Sequence, residues 1–204
     1  MIRVKICGLR GEDAAYACVR AHADFVGLNF VPGRRRALRL REAKDLLHIL
    51  LPEDIEPVGV FRDQEQREIE TLAAELGFDW VQLHGAEPPS LCARLSQSGL
   101  HVIKAFPVGE DFDPRVLDEY AEHVDIFLLD GPRPGEGVPF RWASLAEIPR
   151  VRPIFLAGGL DPENVGRAIA EAHPDGVDTA SGVEVAGRSD PDRIRAFCAA
   201  ARAA

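Results

Sequence analysis

One unit recurs down the whole chain: a short β-rich run, then a helical pattern. The runs are RVKIC (3–7), FVGLNF (25–30), PVGVF (57–61), WVQLH (80–84), HVIKAF (101–106), DIFLLD (125–130), PIFLAG (153–158) and GVDTAS (176–181). Between them, Ile69, Leu72, Ala73 and Leu76 follow the i, i+3, i+4, i+7 rule of an amphipathic helix, as do Ile194, Phe197, Cys198 and Ala201. Asp161-Pro162 reads as a helix start, a capping side chain followed by Pro at the first helical position. Alternating strand and helix is the pattern of a parallel α/β fold. A count of about eight favours a closed (β/α)8 TIM barrel, one domain over residues 1–204, against an open sheet. No G-x-G-x-x-G follows a strand and no P-loop is present, so nothing supports a doubly wound nucleotide-binding alternative. The stretch 131–152, rich in Pro and Gly, predicts a short and poorly defined sixth helix.

The first strand poses a problem. Strands buried on both faces read as unbroken apolar runs, yet Arg3, Lys5 and Cys7 alternate with Val4 and Ile6. Side chains along a strand alternate between faces. In a barrel one face lies under the helices and the other points inside. Val4 and Ile6 suit the helix side, which sends Arg3, Lys5 and Cys7 inward. The same logic puts Gln82 and His84 opposite Val81 and Leu83, and Asp130 opposite Phe127 and Leu129. Asp178 interrupts an otherwise small or apolar run. Charges cannot be buried unpaired at low cost, so these groups must pair or line a wet site. Catalytic groups of such barrels sit at the C-terminal strand ends, where Cys7, Gln82, His84, Asp130 and Ser181 all fall.

The formal net charge of −9 offers no basic excess for nucleic acid or an anionic membrane. An anionic ligand must be held by local groups. Two segments suit one: AGGLDPEN (157–164), with Gly158 and Gly159 between a strand and a helix N-terminus, and TASGVE (179–184), with Ser181 and Gly182 after the last strand. Glycines let backbone N–H groups close on an oxyanion, and the loops after strands seven and eight are where this fold holds phosphate. PGRRR (32–36) adds an arginine loop, and an arginine fork suits a carboxylate. Cys7, Cys18, Cys92 and Cys198 form no C-x-x-C pair and have no His cluster beside them, which predicts no zinc site and no disulfide framework. With no signal peptide and no long apolar run, a reducing cytosol is expected.

VKICGL (4–9), VGVF (58–61), VQLHG (81–85), IKAF (103–106), LLD (128–130), AGGLDPENV (157–165) and VDTASGVE (177–184) occur in this order along the chain. Together they resemble the phosphoribosylanthranilate isomerases of tryptophan biosynthesis. That resemblance implies an Amadori rearrangement of N-(5-phosphoribosyl)anthranilate, run without metal or cofactor, on a small phosphorylated substrate. It implies a general base at Cys7, a general acid at Asp130, and Arg36 on the anthranilate carboxylate, with Arg35 as the alternative. Substrate-binding positions are expected at Gln82, His84, Gly158, Gly159, Asp178, Ser181 and Gly182. The chain is expected to be a monomer or a homodimer. One loop departs from the family: where Gly-Thr-Gly-Lys is common, this chain has Gly135-Glu136-Gly137-Val138, and a carboxylate there would repel phosphate unless turned outward. A base at Cys7 must act as thiolate, against an ordinary cysteine pKa of about 8.5. Lys5, two residues away on the same face, is expected to favour that thiolate.

Overall fold

The structure, a computed structural model, describes residues 1–109, 111–132, 142, 145 and 148–204. The Gly135-Glu136-Gly137 departure and most of the expected sixth helix lie outside the described residues. Eight parallel strands close into a barrel in sequence order: β1 (Arg3–Cys7), β2 (Phe25–Asn29), β3 (Glu56–Phe61), β4 (Trp80–Leu83), β5 (His101–Pro107), β6 (Ile126–Asp130), β7 (Ile154–Leu156) and β8 (Gly176–Thr179). β8 pairs with β1, with Lys5 opposite Asp178, and this pairing closes the ring. The helices are α1 (Glu12–Arg20), α2 (Leu40–Leu50), α3 (Gln66–Leu76), α4 (Pro89–Gln97), α5 (Val165–Ala172) and α6 (Pro191–Ala203). A 3-10 turn over Pro114–Glu119 stands between β5 and β6. A second 3-10 turn, Ser181–Val183, leads into a hairpin of β9 (Glu184–Val185) and β10 (Arg188–Ser189).

Strand alternation sorts the core into two bodies. Val4, Ile6, Val26, Leu28, Val81, Leu83, Phe127 and Leu129 face the helices and are buried among their apolar stripes. Phe25, Val58, Ile103, Ile126, Leu128 and Phe155 point inside and fill the N-terminal half of the barrel. Phe25 meets Trp80 edge-on, with ring centroids 5.1 Å apart. The Arg3 guanidinium lies over the Phe155 ring at 4.9 Å, so this inward charge rests on an aromatic face. The C-terminal half carries the polar inward residues. The barrel is thus a packed plug below and a polar basin above.

The helices follow from their patterns. α3 buries Ile69, Ala73 and Leu76 at helical spacing, and α6 buries Ile194, Phe197, Cys198 and Ala201. Asp190 caps α6, its side chain accepting from the Arg193 amide, with Pro191 in the first turn. At Asp161-Pro162 the outcome differs from the sequence expectation. Asp161 Oδ1 accepts from the amides of Glu163 (3.0 Å) and Asn164 (2.8 Å), closing a separate turn, and α5 begins only at Val165. The capping chemistry is present, but it shapes the turn instead of opening the helix. Among the described residues no helix is long and apolar enough to cross a membrane.

Candidate active site

Every expected site residue lies at the C-terminal mouth or in the loops above it. Cys7 ends β1, partly covered, with its sulfur over β2. Gly27, its partner on β2, is what leaves room for that sulfur. A Cβ there would lie 2.7 Å from Cys7 Sγ and 3.2 Å from Lys5 Nζ. One layer down, Lys5 is wholly buried and its Nζ donates to Asp178 Oδ1 at 3.0 Å. Burial alone would lower the Lys5 pKa, but the pull of Asp178 and then of Cys7 raises it, so the ammonium stays charged.

The thiol does not behave as expected from Lys5 alone. Burial pushes the Cys7 pKa up; Lys5 pulls it down, Asp178 pushes it up again, and Arg36 adds a smaller downward pull. The net displacement is upward. Lys5 does favour the thiolate, yet much of its charge is already committed to Asp178.

Across the basin, Asp130 ends β6 and is buried. Its Oδ1 accepts from the Gly131 amide at 2.8 Å, and its Oδ2 lies 3.3 Å from His84 Nε2. His84 Nδ1 in turn lies 2.9 Å from Gln82 Nε2. With that amide donating, the imidazole carries its proton on Nε2, facing Asp130. Gln82 has no exposed surface, so it meets a ligand only by way of His84. The expected binding pair is thus also a side-chain chain that orients Asp130.

The glycine loops stand beside that carboxylate. Gly158 (φ +90°) packs so closely that a Cβ would lie 2.5 Å from the Gly131 nitrogen and 3.0 Å from Asp130 Oδ1. Asn164 Nδ2 donates to the Gly159 carbonyl at 2.8 Å, which holds the turn open. Among the described residues neither the Gly158 nor the Gly159 amide donates a hydrogen bond. A Cβ on Gly182 would land on the Leu160 carbonyl oxygen, so this loop lies flush against its neighbour. A small cavity of about 40 Å³ joins Asp130, Gly158, Gly159, Asp178 and Ser181. A much larger hollow, about 720 Å³, lies outside the barrel wall between α1, α2 and β10. It contains none of the inward polar groups, so convergence of chemistry and not volume locates the site.

Arg36 reaches this mouth by lying across Gly8, whose φ of +68° and missing Cβ make the space. Arg36 Nε and Nη2 donate to Glu184 Oε1 and Oε2 at 2.7 and 3.0 Å. Arg35 donates to the same Glu184 Oε2 at 2.6 Å, and to the Gly187 carbonyl. Burial works to raise the Glu184 pKa, but Arg36 and Arg35 together bring it below the usual value.

Two groups escaped the sequence reading. Glu184 was quoted only as part of a motif. Lys104 was quoted only within the run IKAF; its Nζ is buried against Glu87 Oε2 (2.8 Å) and the Gly85 carbonyl (2.7 Å). Glu87 also accepts from the amides of Gly85 and Asp63 and so fixes the turn directly after His84. The detectable signal was Lys104 in the middle of an otherwise buried run, demanding an acidic partner.

The profile of one family, N-(5'phosphoribosyl)anthranilate (PRA) isomerase, matches residues 4–200. An N-(5'-phosphoribosyl)anthranilate isomerase of Desulforudis audaxviator is 41% identical over 209 residues, covering 100% of both chains. Among solved structures, phosphoribosyl anthranilate isomerase from Thermotoga maritima superposes with a TM-score of 0.91 at 35% identity, covering 100% of both chains. A phosphoribosyl anthranilate isomerase in complex with reduced 1-(o-carboxyphenylamino)-1-deoxyribulose 5-phosphate gives 0.88 at 35% identity, again with 100% of both chains.

Proposed function

This chain belongs to the N-(5'-phosphoribosyl)anthranilate isomerase family and acts as that isomerase in tryptophan biosynthesis; we propose that Cys7 is its general base and Asp130 its general acid. The substrate is an N-glycoside of a furanose phosphate. Asp130 delivers a proton to the ring oxygen as the C1′–O bond breaks, and the nitrogen lone pair forms the C1′=N bond. The Cys7 thiolate then takes the proton from C2′, the C2′–H electrons form the C1′=C2′ bond, and the nitrogen recovers its pair. Tautomerisation of this enol to the ketone completes the isomer. One proton leaves Asp130 and one arrives at Cys7, and exchange with solvent restores both. Each positioned proton-transfer group is worth about 10²–10⁴ in rate.

The observation that carries this assignment is the placement of the two groups. Both end inward-facing positions, on β1 and β6, above the apolar plug. A base and an acid on separated strands can address opposite sides of a sugar. Support for the binding ends comes from the loops. The open Gly158–Gly159 turn and the Ser181–Gly182 turn suit the phosphate. Arg36, 15% exposed, suits the anthranilate carboxylate better than Arg35, whose side chain is 51% exposed and braced on Gly187. Asp178 serves as the counter-charge of Lys5. His84 and Gln82 orient Asp130. The phosphate handle takes no part in the proton transfers; its binding holds the sugar between base and acid.

The test is a steady-state comparison of N-(5'-phosphoribosyl)anthranilate with the aminoaldose phosphate of histidine biosynthesis. Turnover is expected on the anthranilate substrate, with Arg36→Met raising its KM. An Arg36→Met enzyme with unchanged KM contradicts the carboxylate assignment.

A further inference from the structure

We infer that Glu184 is a positioning residue: it fixes the Arg36 guanidinium side-on, so that the adjoining Nη1/Nη2 edge presents itself to the substrate carboxylate. The inference rests on Arg36 holding that carboxylate, as read above. A guanidinium carries five N–H donors in one plane. Glu184 takes the Nε–H and one Nη2–H, a bidentate grip on one edge, at 2.7 and 3.0 Å. Both Nη1 hydrogens and the second Nη2 hydrogen remain. They form a second fork, coplanar with the first. Among the described residues Arg36 makes no other hydrogen bond.

Three further features fit this role. The Glu184 side chain is only 8% exposed, so it is held in place and not solvated. The charges also match: Arg35 and Arg36 bring two positive charges and Glu184 one negative, which leaves one net positive charge for one carboxylate. Without Glu184, two neighbouring guanidiniums would repel each other. Finally, Glu184 follows directly on the Ser181–Val183 turn that faces the phosphate side. A single short loop then sets the spacing between the two anionic ends of the substrate. Arg35 braces the arrangement, since its second contact is to the Gly187 carbonyl in the same hairpin.

The experiment measures binding of reduced 1-(o-carboxyphenylamino)-1-deoxyribulose 5-phosphate and of ribose 5-phosphate by calorimetry, on wild type, Glu184→Gln, Arg36→Lys and the double variant. Glu184→Gln is expected to weaken the carboxylate-bearing analogue about tenfold or more, the scale of one hydrogen bond to a charged group. Ribose 5-phosphate, which lacks the carboxylate, should bind within about twofold of wild type, and it doubles as a check on folding. In steady state the greater part of the loss should appear in KM. Added to Arg36→Lys, Glu184→Gln should cost at most about twofold more, because the two act as one unit. If Glu184→Gln does not fold, Glu184→Asp is read by the same criteria. Full analogue affinity in Glu184→Gln alongside a weakened Arg36→Lys overturns the role of Glu184 alone. Equal loss of both ligands overturns it too, since the loop and not the fork is then disturbed. Full affinity in Arg36→Lys overturns the carboxylate assignment and this inference with it.

Discussion

Lys5 Nζ and Asp178 Oδ1 lie 3.0 Å apart across the β1–β8 seam, directly beneath the Cys7 sulfur. The barrel closes at this pair. Both are buried, and after Asp178 the Cys7 sulfur is the next group that favours the charged Lys5. A buried ion pair adds little net stability, but breaking one leaves an uncompensated charge. Lys5→Met is therefore expected to lower the unfolding free energy by about 3–5 kcal/mol in urea titration. Lys5→Met/Asp178→Leu should recover part of that loss. A Lys5→Met protein as stable as wild type would show that Asp178 is accommodated without its lysine.

The same substitution bears on the thiol. Lys5 is the largest influence pulling the Cys7 pKa down against burial. Its removal should move the midpoint of pH-dependent alkylation of Cys7 further upward, measured on folded protein. An unmoved midpoint removes Lys5 from the mechanism. Because a base with a raised pKa is increasingly deprotonated as pH climbs, kcat/KM should rise through and beyond neutrality in the wild type.

Gly182→Ala tests the phosphate end. The added methyl meets the Leu160 carbonyl oxygen, so the Ser181–Gly182 turn must move. Ribose 5-phosphate affinity should fall by about tenfold or more, while far-ultraviolet circular dichroism stays native, since the barrel strands and helices are not altered. Wild-type affinity would mean that this turn does not carry the phosphate.

The structural thiols give the protein an alkaline limit. Burial raises Cys92 and Cys198 each to about 11. In the unfolded chain they ionise near 8.5. The unfolded state therefore loses these protons first, and stability present below that value is lost as pH rises toward the folded pKa. The melting temperature should fall between about pH 8.5 and 11. The fall should be shallower in Cys92→Ala/Cys198→Ala, whatever the variant's stability at pH 7. An identical slope would assign the alkaline loss to other groups.

Much of this architecture was legible in the chain. The period-two pattern of RVKIC sent Lys5 and Cys7 inward, and the repeat of strand and helix fixed the barrel. What the pattern lacks is the partner. That Lys5 meets Asp178 depends on the register with which β8 closes against β1, and local periodicity carries no register across a seam. Glu184 was invisible for a different reason. A glutamate in a loop is ordinarily solvated, and its partner Arg36 stands 148 residues away in sequence. Asp161 misled because one side chain supports either a helix cap or a separate turn, and packing chose the turn. Lys5 favours the Cys7 thiolate as expected, but the net upward displacement comes from burial, which sequence does not quantify.

The central claim is that Cys7 and Asp130 carry the two proton transfers. The most direct measurement is kcat for Cys7→Ala and Asp130→Asn on N-(5'-phosphoribosyl)anthranilate, followed by its loss of fluorescence, with binding of the reduced product analogue as the control for an intact site. Each variant should bind the analogue and lose at least about 10²-fold in kcat. A variant that binds the analogue and keeps more than about a tenth of wild-type kcat contradicts the role given to its residue.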